Sequence, residues 1–235
     1  MGQIYLVRHG QASFGAANYD LLSELGVQQA RLLGEWYAER RQGFSRVLTG
    51  GMNRHRQTAV ACLGALPRNL RKEGDWETDA GFAEYDHAEI FARYRPEFAD
   101  HAVLADFLRG SEYPRQAFQS LFEAATARWM GGEHDADYTE SWPAFQSRCV
   151  AALQRVLMAP GTAQTVIIFT SGGTIATLCQ HVLDLPDPKV FALNWTLANV
   201  GVTKLLYSGG RVSLSYLNNY SHLESGGIPG LVTYR

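Results

Sequence analysis

The chain has 235 residues, 46% of them hydrophobic, and Lys+Arg 21 against Asp+Glu 23 give a net charge of −2. That length and apolar content suffice for one sizeable buried core. The near-neutral balance excludes a general field for nucleic acid or another polyanion, so any anion site has to be made locally by a few placed arginines. Three cysteines, Cys62, Cys149 and Cys179, stand far apart without a CxxC pair. This excludes a disulfide framework or a zinc ribbon and reads as small buried apolar residues in helices. No apolar run approaches the roughly 20 residues needed to span a bilayer, and the N-terminus lacks the basic-then-apolar pattern of a leader. A soluble cytoplasmic protein with no membrane partner is expected.

Along the chain, Ile4 to Val7 is an apolar run that stops at Arg8-His9-Gly10, as a buried strand does on meeting a loop. Ser23 is a candidate N-cap for a helix through Leu32, Leu33, Trp36 and Tyr37 to Arg40. Arg46 to Thr49 is a second strand, closed by Gly50-Gly51. A helix follows with Ala59, Cys62, Leu63 and Leu66 on one face and Pro67 beyond its end. From Tyr85 to Gly132 the chain holds aromatics and helix formers broken by Pro96, Gly110 and Pro114, and no strand pattern. This predicts a helical insertion lying over the sheet as a lid. Phe145, Cys149, Leu153 and Val156 recur at helical spacing. Thr165 to Phe169 is a strand that breaks at Ser171-Gly172-Gly173, and helix resumes over Thr174 to Leu183. Val200 to Tyr207 and Val212 to Leu217 flank Ser208-Gly209-Gly210-Arg211 as a hairpin. Strands alternating with helices predict an α/β three-layer sandwich, a mostly parallel sheet with helices on both faces, in one domain over 1–235 with the insertion at about 85–132.

Ligands in such sheets bind beyond the carboxyl ends of the strands, where Arg8-His9-Gly10, the Gly50 to Arg56 segment and Ser171-Gly172-Gly173 all fall. Neutral imidazole is a good nucleophile near pH 7 when one nitrogen is bare and the other is held protonated. Alone, the tripeptide reads equally as a turn histidine satisfied by backbone. Arg54, at the start of a helix after the second strand, adds support. Planar guanidinium groups match the oxygens of a transferring phosphoryl group, and the helix start offers free N–H donors. Arg56 reads as a solvated basic residue.

Leu6-Val7-Arg8-His9-Gly10-Gln11 and Arg54 with Gln57-Thr58-Ala59 resemble the two signatures of the histidine phosphatase superfamily, which includes the cofactor-dependent phosphoglycerate mutases. Leu22-Ser23-Glu24-Leu25-Gly26 with Gln29-Ala30, Phe82-Ala83-Glu84-Tyr85-Asp86, and Leu217-Asn218-Asn219 with His222-Leu223 resemble further segments in the same order. The resemblance implies that His9 becomes phosphohistidine and that Arg8 and Arg54 bind phosphoryl oxygens, with Gln11 and Ser13 as neighbours. It implies that Glu84 protonates the leaving oxygen, a task suited to a carboxyl raised by partial burial, with Glu89 and then Asp86 as rivals.

The family usually has a second histidine in a Ser-His-Gly-Gly-like turn. Here Ser171 of Thr170-Ser171-Gly172-Gly173 stands in its place, so the hydroxyl and the N–H groups at Ser171 and Gly172 are the phosphate donors expected there. His87, three residues after Glu84, is the candidate for the missing contact, with His55 and His181 expected to matter less. The reaction implied is phosphomonoester hydrolysis on a small phosphorylated substrate, without metal or organic cofactor. The alternatives are mutase-type phosphoryl transfer, or a catalytically weak protein that binds a phospho-ligand or partner. Neither the substrate nor the oligomeric state is readable from the sequence.

Overall fold

The computed structural model describes residues 1–13, 20–66, 73–159 and 164–234. Two compact units divide the chain: Met1–Glu84 with Cys149–Arg235, and Tyr85–Arg148.

The first unit is built on a six-stranded sheet. Its strands are β1 (Gly2–Arg8), β2 (Arg46–Thr49), β3 (Glu77–Thr78), β4 (Thr165–Thr170), β5 (Val202–Ser208) and β6 (Arg211–Asn219), in the order β3-β2-β4-β1-β5-β6. β1, β2, β3 and β4 run parallel, whereas β5 pairs antiparallel with β1 and β6 antiparallel with β5. The hairpin between β5 and β6 turns on Gly209 and Gly210, both at positive φ (55° and 78°), which glycine adopts without steric cost.

The central strands are apolar on both sides because both faces are covered. Tyr5, Val7, Val47, Ile167 and Phe169 pack in one cluster with Ala30, Leu33 and Tyr37 of α1 (Glu24–Glu39) and Ala59, Cys62 and Leu63 of α2 (Asn53–Gly64). Ile4, Leu6, Val166 and Ile168 alternate with these, point to the opposite face and are equally buried. α1 starts where Ser23 accepts the Gly26 N–H at 3.1 Å, a cap worth about 1 kcal/mol. Pro67, expected just beyond α2, lies outside the described residues.

α7 (Gly172–Leu183) leaves the end of β4, followed by α8 (Asp187–Thr196) and the short α9 (Ser221–Glu224). The second unit holds α3 (His87–Tyr94), α4 (His101–Arg109) and α5 (Pro114–Met130), and no strand among its described residues. α6 (Trp142–Leu157) carries the chain back to the first unit. The second unit has its own aromatic core, in which Trp129 lies 5.0 Å from Tyr85 and 5.2 Å from Trp142, centroid to centroid. Among the described residues no helix is long and apolar enough to cross a membrane.

Candidate active site

The carboxyl ends of β1 and β4 lie side by side, with Arg8 opposite Thr170 in register. His9 and Ser171 therefore leave adjacent strands at the same level. The His9 N–H donates to the Thr170 carbonyl at 2.9 Å, and the His9 carbonyl accepts from Asn199 Nδ2 at 3.1 Å. The Val200 N–H reaches the carbonyls of both Arg8 and His9 (3.2 and 3.4 Å). Val200 achieves this at φ +57°, a conformation that β-branched residues rarely adopt and that costs of order 1–3 kcal/mol.

Gly10 then turns the chain against α1. A Cβ there would stand 2.4 Å from the Gly26 carbonyl oxygen, so only glycine allows the approach. Its N–H donates to Thr58 Oγ1 (3.0 Å), whose hydroxyl donates to the Arg54 carbonyl (2.7 Å), tying the His9 loop to the first turn of α2.

The His9 ring is buried, and its Nδ1 lies 2.8 Å from the Gly10 carbonyl oxygen. A carbonyl can only accept, so Nδ1 carries the proton and Nε2 is the bare nitrogen. Burial, then Arg54, Arg8 and His55, hold the imidazole pKa well below its ordinary value, against a smaller opposite pull from the Gly10 carbonyl. The ring is neutral at physiological pH, as a nucleophile must be.

Arg54 is almost fully buried, and its Nη1 meets Asp20 Oδ1 at 3.0 Å. Asp20 also accepts the N–H groups of Asn53 (2.9 Å) and Arg54 (3.4 Å). The start of α2, expected to offer free N–H donors to phosphate, is thus capped by a carboxylate. Arg8 Nη1 donates to the carbonyls of Leu197 and Tyr234. Nearby, Gln29 Oε1 accepts the Gln11 N–H (2.9 Å) and its Nε2 donates to the Leu231 carbonyl (2.7 Å), so residues near Leu231 run beside the His9 loop.

Glu84 is half-buried, and its Oε2 accepts the Gly173 N–H in the first turn of α7 at 3.0 Å. Its segment is fastened to the end of β4 and the start of α7: Thr170 Oγ1 donates to the Phe82 carbonyl (2.6 Å) and Thr174 Oγ1 to the Ala83 carbonyl (3.0 Å). Gly50 makes room for it, since a Cβ there would come within 2.3 Å of the Phe82 carbonyl oxygen. The rival carboxyls do other work in the second unit. Asp86 caps α3 through the Ala88 and Glu89 N–H groups, and Glu89 accepts from Thr139 N and Oγ1.

His9, Arg8, Arg54, Glu84, Ser171 and Gly172 thus converge within the first unit. Gln11 and Ser13 serve the loop: Gln11 Oε1 accepts from Ser23 Oγ (3.0 Å), and the Ser13 N–H donates to the Leu21 carbonyl (2.9 Å). His87 opens α3 in the second unit, its ring edge-on to Phe91 at 6.4 Å. The histidine that meets Ser171 is His55, with Nε2 2.6 Å from Ser171 Oγ and its ring 6.0 Å from that of His9. Sequence reasoning ranked His55 below His87, because its neighbours Arg54 and Arg56 give it no task, and it did not single out Asn199, which lies in no motif. Arg56 pairs with Glu73 at the surface, as a solvated residue should.

The sequence matches the family described as "Histidine phosphatase superfamily (branch 1)" over residues 4–107 and 106–220. No curated protein sequence matches it significantly. Among solved structures, a phosphoglycerate mutase from Bacillus anthracis is similar at 20% identity and a TM-score of 0.65, covering 97% of each chain. A phosphoserine phosphatase variant from Entamoeba histolytica in complex with phosphoserine is similar at 18% identity, covering 95% of this chain and 100% of that one, with a TM-score of 0.62. A mycobacterial glucosyl-3-phosphoglycerate phosphatase is similar at 21% identity, covering 93% and 99%, with a TM-score of 0.57. The family match takes in the strand-end histidine, the buried arginine of α2 and the carboxyl at α7, and by it the chain belongs to the histidine phosphatase superfamily.

Proposed function

We propose that the chain is a phosphatase that hydrolyses small phosphomonoesters through a phosphohistidine on His9. The observation that carries this reading is the state of His9: a neutral ring whose Nδ1–H donates to the Gly10 carbonyl, whose Nε2 is bare, and which feels the charge of both Arg54 and Arg8.

In the first step Nε2 attacks phosphorus as the ester P–O bond breaks, and Glu84 gives its proton to the leaving oxygen. In the second, a water oxygen attacks phosphorus as the P–N bond breaks. Glu84 takes the water's proton, and inorganic phosphate leaves with His9 restored. Arg8 and Arg54 meet the charge on the equatorial oxygens, with the Ser171 hydroxyl and the Gly172 N–H as further donors. In this reading Arg54 exchanges part of its Asp20 contact for the phosphoryl group. Among the described residues no group of three or more His, Cys, Asp or Glu side chains could hold a metal ion.

The comparison proteins include a mutase and phosphatases, and their names do not choose between the two activities for this chain. Release of inorganic phosphate does. Quenching the enzyme within a turnover of labelled 4-nitrophenyl phosphate should trap an acid-labile, alkali-stable label on His9, and His9→Ala should abolish both label and turnover. Label on serine or aspartate, or a His9→Ala enzyme that still turns over, overturns the proposal. Phosphoryl transfer to phosphoglycerate without release of phosphate assigns a mutase instead.

A further inference from the structure

His55 is fully buried at the start of α2, in the midst of the site, although its sequence neighbours Arg54 and Arg56 give it no obvious task. Its Nε2 lies 2.6 Å from Ser171 Oγ, whereas its Nδ1 is buried without a hydrogen-bond partner among the described residues. Burying a half-satisfied polar ring is expensive, and an apolar residue of similar shape fills a purely structural position at lower cost. The ring also lies only 6.0 Å from the nucleophile's.

The unequal ends of the ring settle which way the hydrogen bond runs. If Nδ1 held the proton, a buried N–H would be orphaned, which is rarer in proteins than an underused acceptor. The proton therefore sits on Nε2 and is donated to Ser171 Oγ. Burial, with Arg54 adding to it, pulls the imidazole pKa down to about 3, so this neutral tautomer persists across the working range. Ser171 Oγ, with its acceptor role taken by His55, is left to give its own hydrogen. Although Ser171 is the N-cap of α7, its oxygen accepts no N–H of that helix, so the hydroxyl is not turned into the helix start. Ser171 follows Thr170 as His9 follows Arg8 on the neighbouring strand, so the hydroxyl stands at the level of the nucleophile.

We infer that His55 and Ser171 form a two-member donor relay, His55 Nε2–H to Ser171 Oγ–H to a phosphoryl oxygen, with His55 as the positioning residue. The inference rests on the phosphohistidine reading of His9. It gives the site a neutral, oriented donor at Ser171 that needs no second cation there, and assigns the support of that donor to His55, not His87. No proton is transferred along the relay, and its effect is the orientation of one hydrogen bond toward developing charge.

The experiment measures kcat and KM for 4-nitrophenyl phosphate in Ser171→Ala, His55→Ala, His55→Gln and the double Ser171→Ala/His55→Ala enzyme, with His9→Ala as control. Ser171→Ala should lower kcat about 100-fold, the loss found when one transition-state donor is removed. His55→Ala should lose about 10-fold or more by the same reasoning, and the double enzyme should fall no lower than Ser171→Ala alone, because the two act as a unit. Glutamine carries an N–H near the position of Nε2, so His55→Gln should recover part of the loss, which mere cavity filling cannot explain. Nitrogen-15 spectra of the unaltered enzyme should show His55 protonated at Nε2 and bare at Nδ1, a reading independent of whether any variant folds.

A His55→Ala enzyme with unchanged kcat, losses that multiply in the double enzyme, an Nδ1–H tautomer, or a His87→Ala enzyme that loses more than His55→Ala each overturns the relay. Turnover surviving in His9→Ala overturns the phosphohistidine reading itself. An inactive His9→Ala enzyme beside a His55→Ala one with unchanged kcat overturns the relay alone.

Discussion

Acidification from about pH 7.5 to about pH 5.5 should destabilise the first unit by an amount that can be worked out from its three buried histidines. His9, His55 and His222 are 6%, 0% and 4% exposed, so solvent screens none of them. Burial is the largest cause of depression in each, to about 3 for His55, to about 4 for His222 and well below the ordinary value for His9. In the unfolded chain each returns to about 6.5. Below that value the unfolded chain takes up protons that the folded unit refuses. Stability is therefore complete above about pH 7 and falls progressively as pH drops from about 6.5 toward the folded values. At pH 5.5 His55 and His222 each withhold about one pH unit's worth of proton free energy, together about 3 kcal/mol, and His9 adds to the loss in the same direction. That is a large part of the roughly 5–15 kcal/mol that holds a typical domain folded. Urea unfolding at the two pH values measures the drop. His222→Phe should remove about 1.4 kcal/mol of it whatever the variant's stability at pH 7.5, since His222 Nε2 has no partner to lose among the described residues. A midpoint that does not fall on acidification, or the same drop in His222→Phe, would falsify the assignment. The depression of His9 also means that kcat/KM should show no acid limb near 6.5 while the protein remains folded.

Glu84→Gln should lower kcat about 10²- to 10⁴-fold on alkyl phosphates and far less for the first step on 4-nitrophenyl phosphate, whose leaving oxygen needs no proton. An equal loss on both substrates would reject Glu84 as the general acid. Prolonged EDTA treatment should leave turnover intact, and a chelated enzyme that recovers only with one particular divalent ion would reveal a metal site. Gly50→Ala should cost about 1–3 kcal/mol and lower activity as well. Its Cβ would come 2.3 Å from the Phe82 carbonyl and 2.7 Å from His55 Nδ1, pressing on both the Glu84 segment and the relay. A variant with unchanged melting and turnover would show that this contact relaxes freely.

The parts of the fold legible in the sequence are those whose signal is local. β1 and β4 read as strands because Ile4 to Val7 and Val166 to Phe169 are buried on both faces and cannot hide among polar residues. α1 read correctly from Ser23 because its cap is made three residues away. β3 was not legible: Glu77 and Thr78 are exposed, and only their pairing with Leu48 and Thr49 makes a strand. α8 was not predicted at all: its sequence carries two prolines, Pro186 and Pro188, at its start, where proline loses no intrahelical bond and so does not prevent a helix. The site divides the same way. His9, Arg54 and Glu84 sit in segments whose order along the chain names them, but Ser171 and His55 are 116 residues apart and only the packing of α2 against the end of β4 brings them together. His87 drew attention through its spacing from Glu84, yet spacing carries no information about which unit a residue joins.

Rigidity of the His9 backbone links these observations. Both polar groups of the His9 peptide are bonded, Gly10 is pressed on Gly26, and Val200 is held in a strained conformation that brings its own N–H to the same carbonyl. Strain of that size persists only where the surroundings over-determine it, and it is commonly found where position matters more than stability. The cost falls on a turn outside the motifs, so the sequence gives no hint of it. In the proposed reaction the benefit is a histidine held in place before substrate arrives, which spares the reaction the work of ordering it.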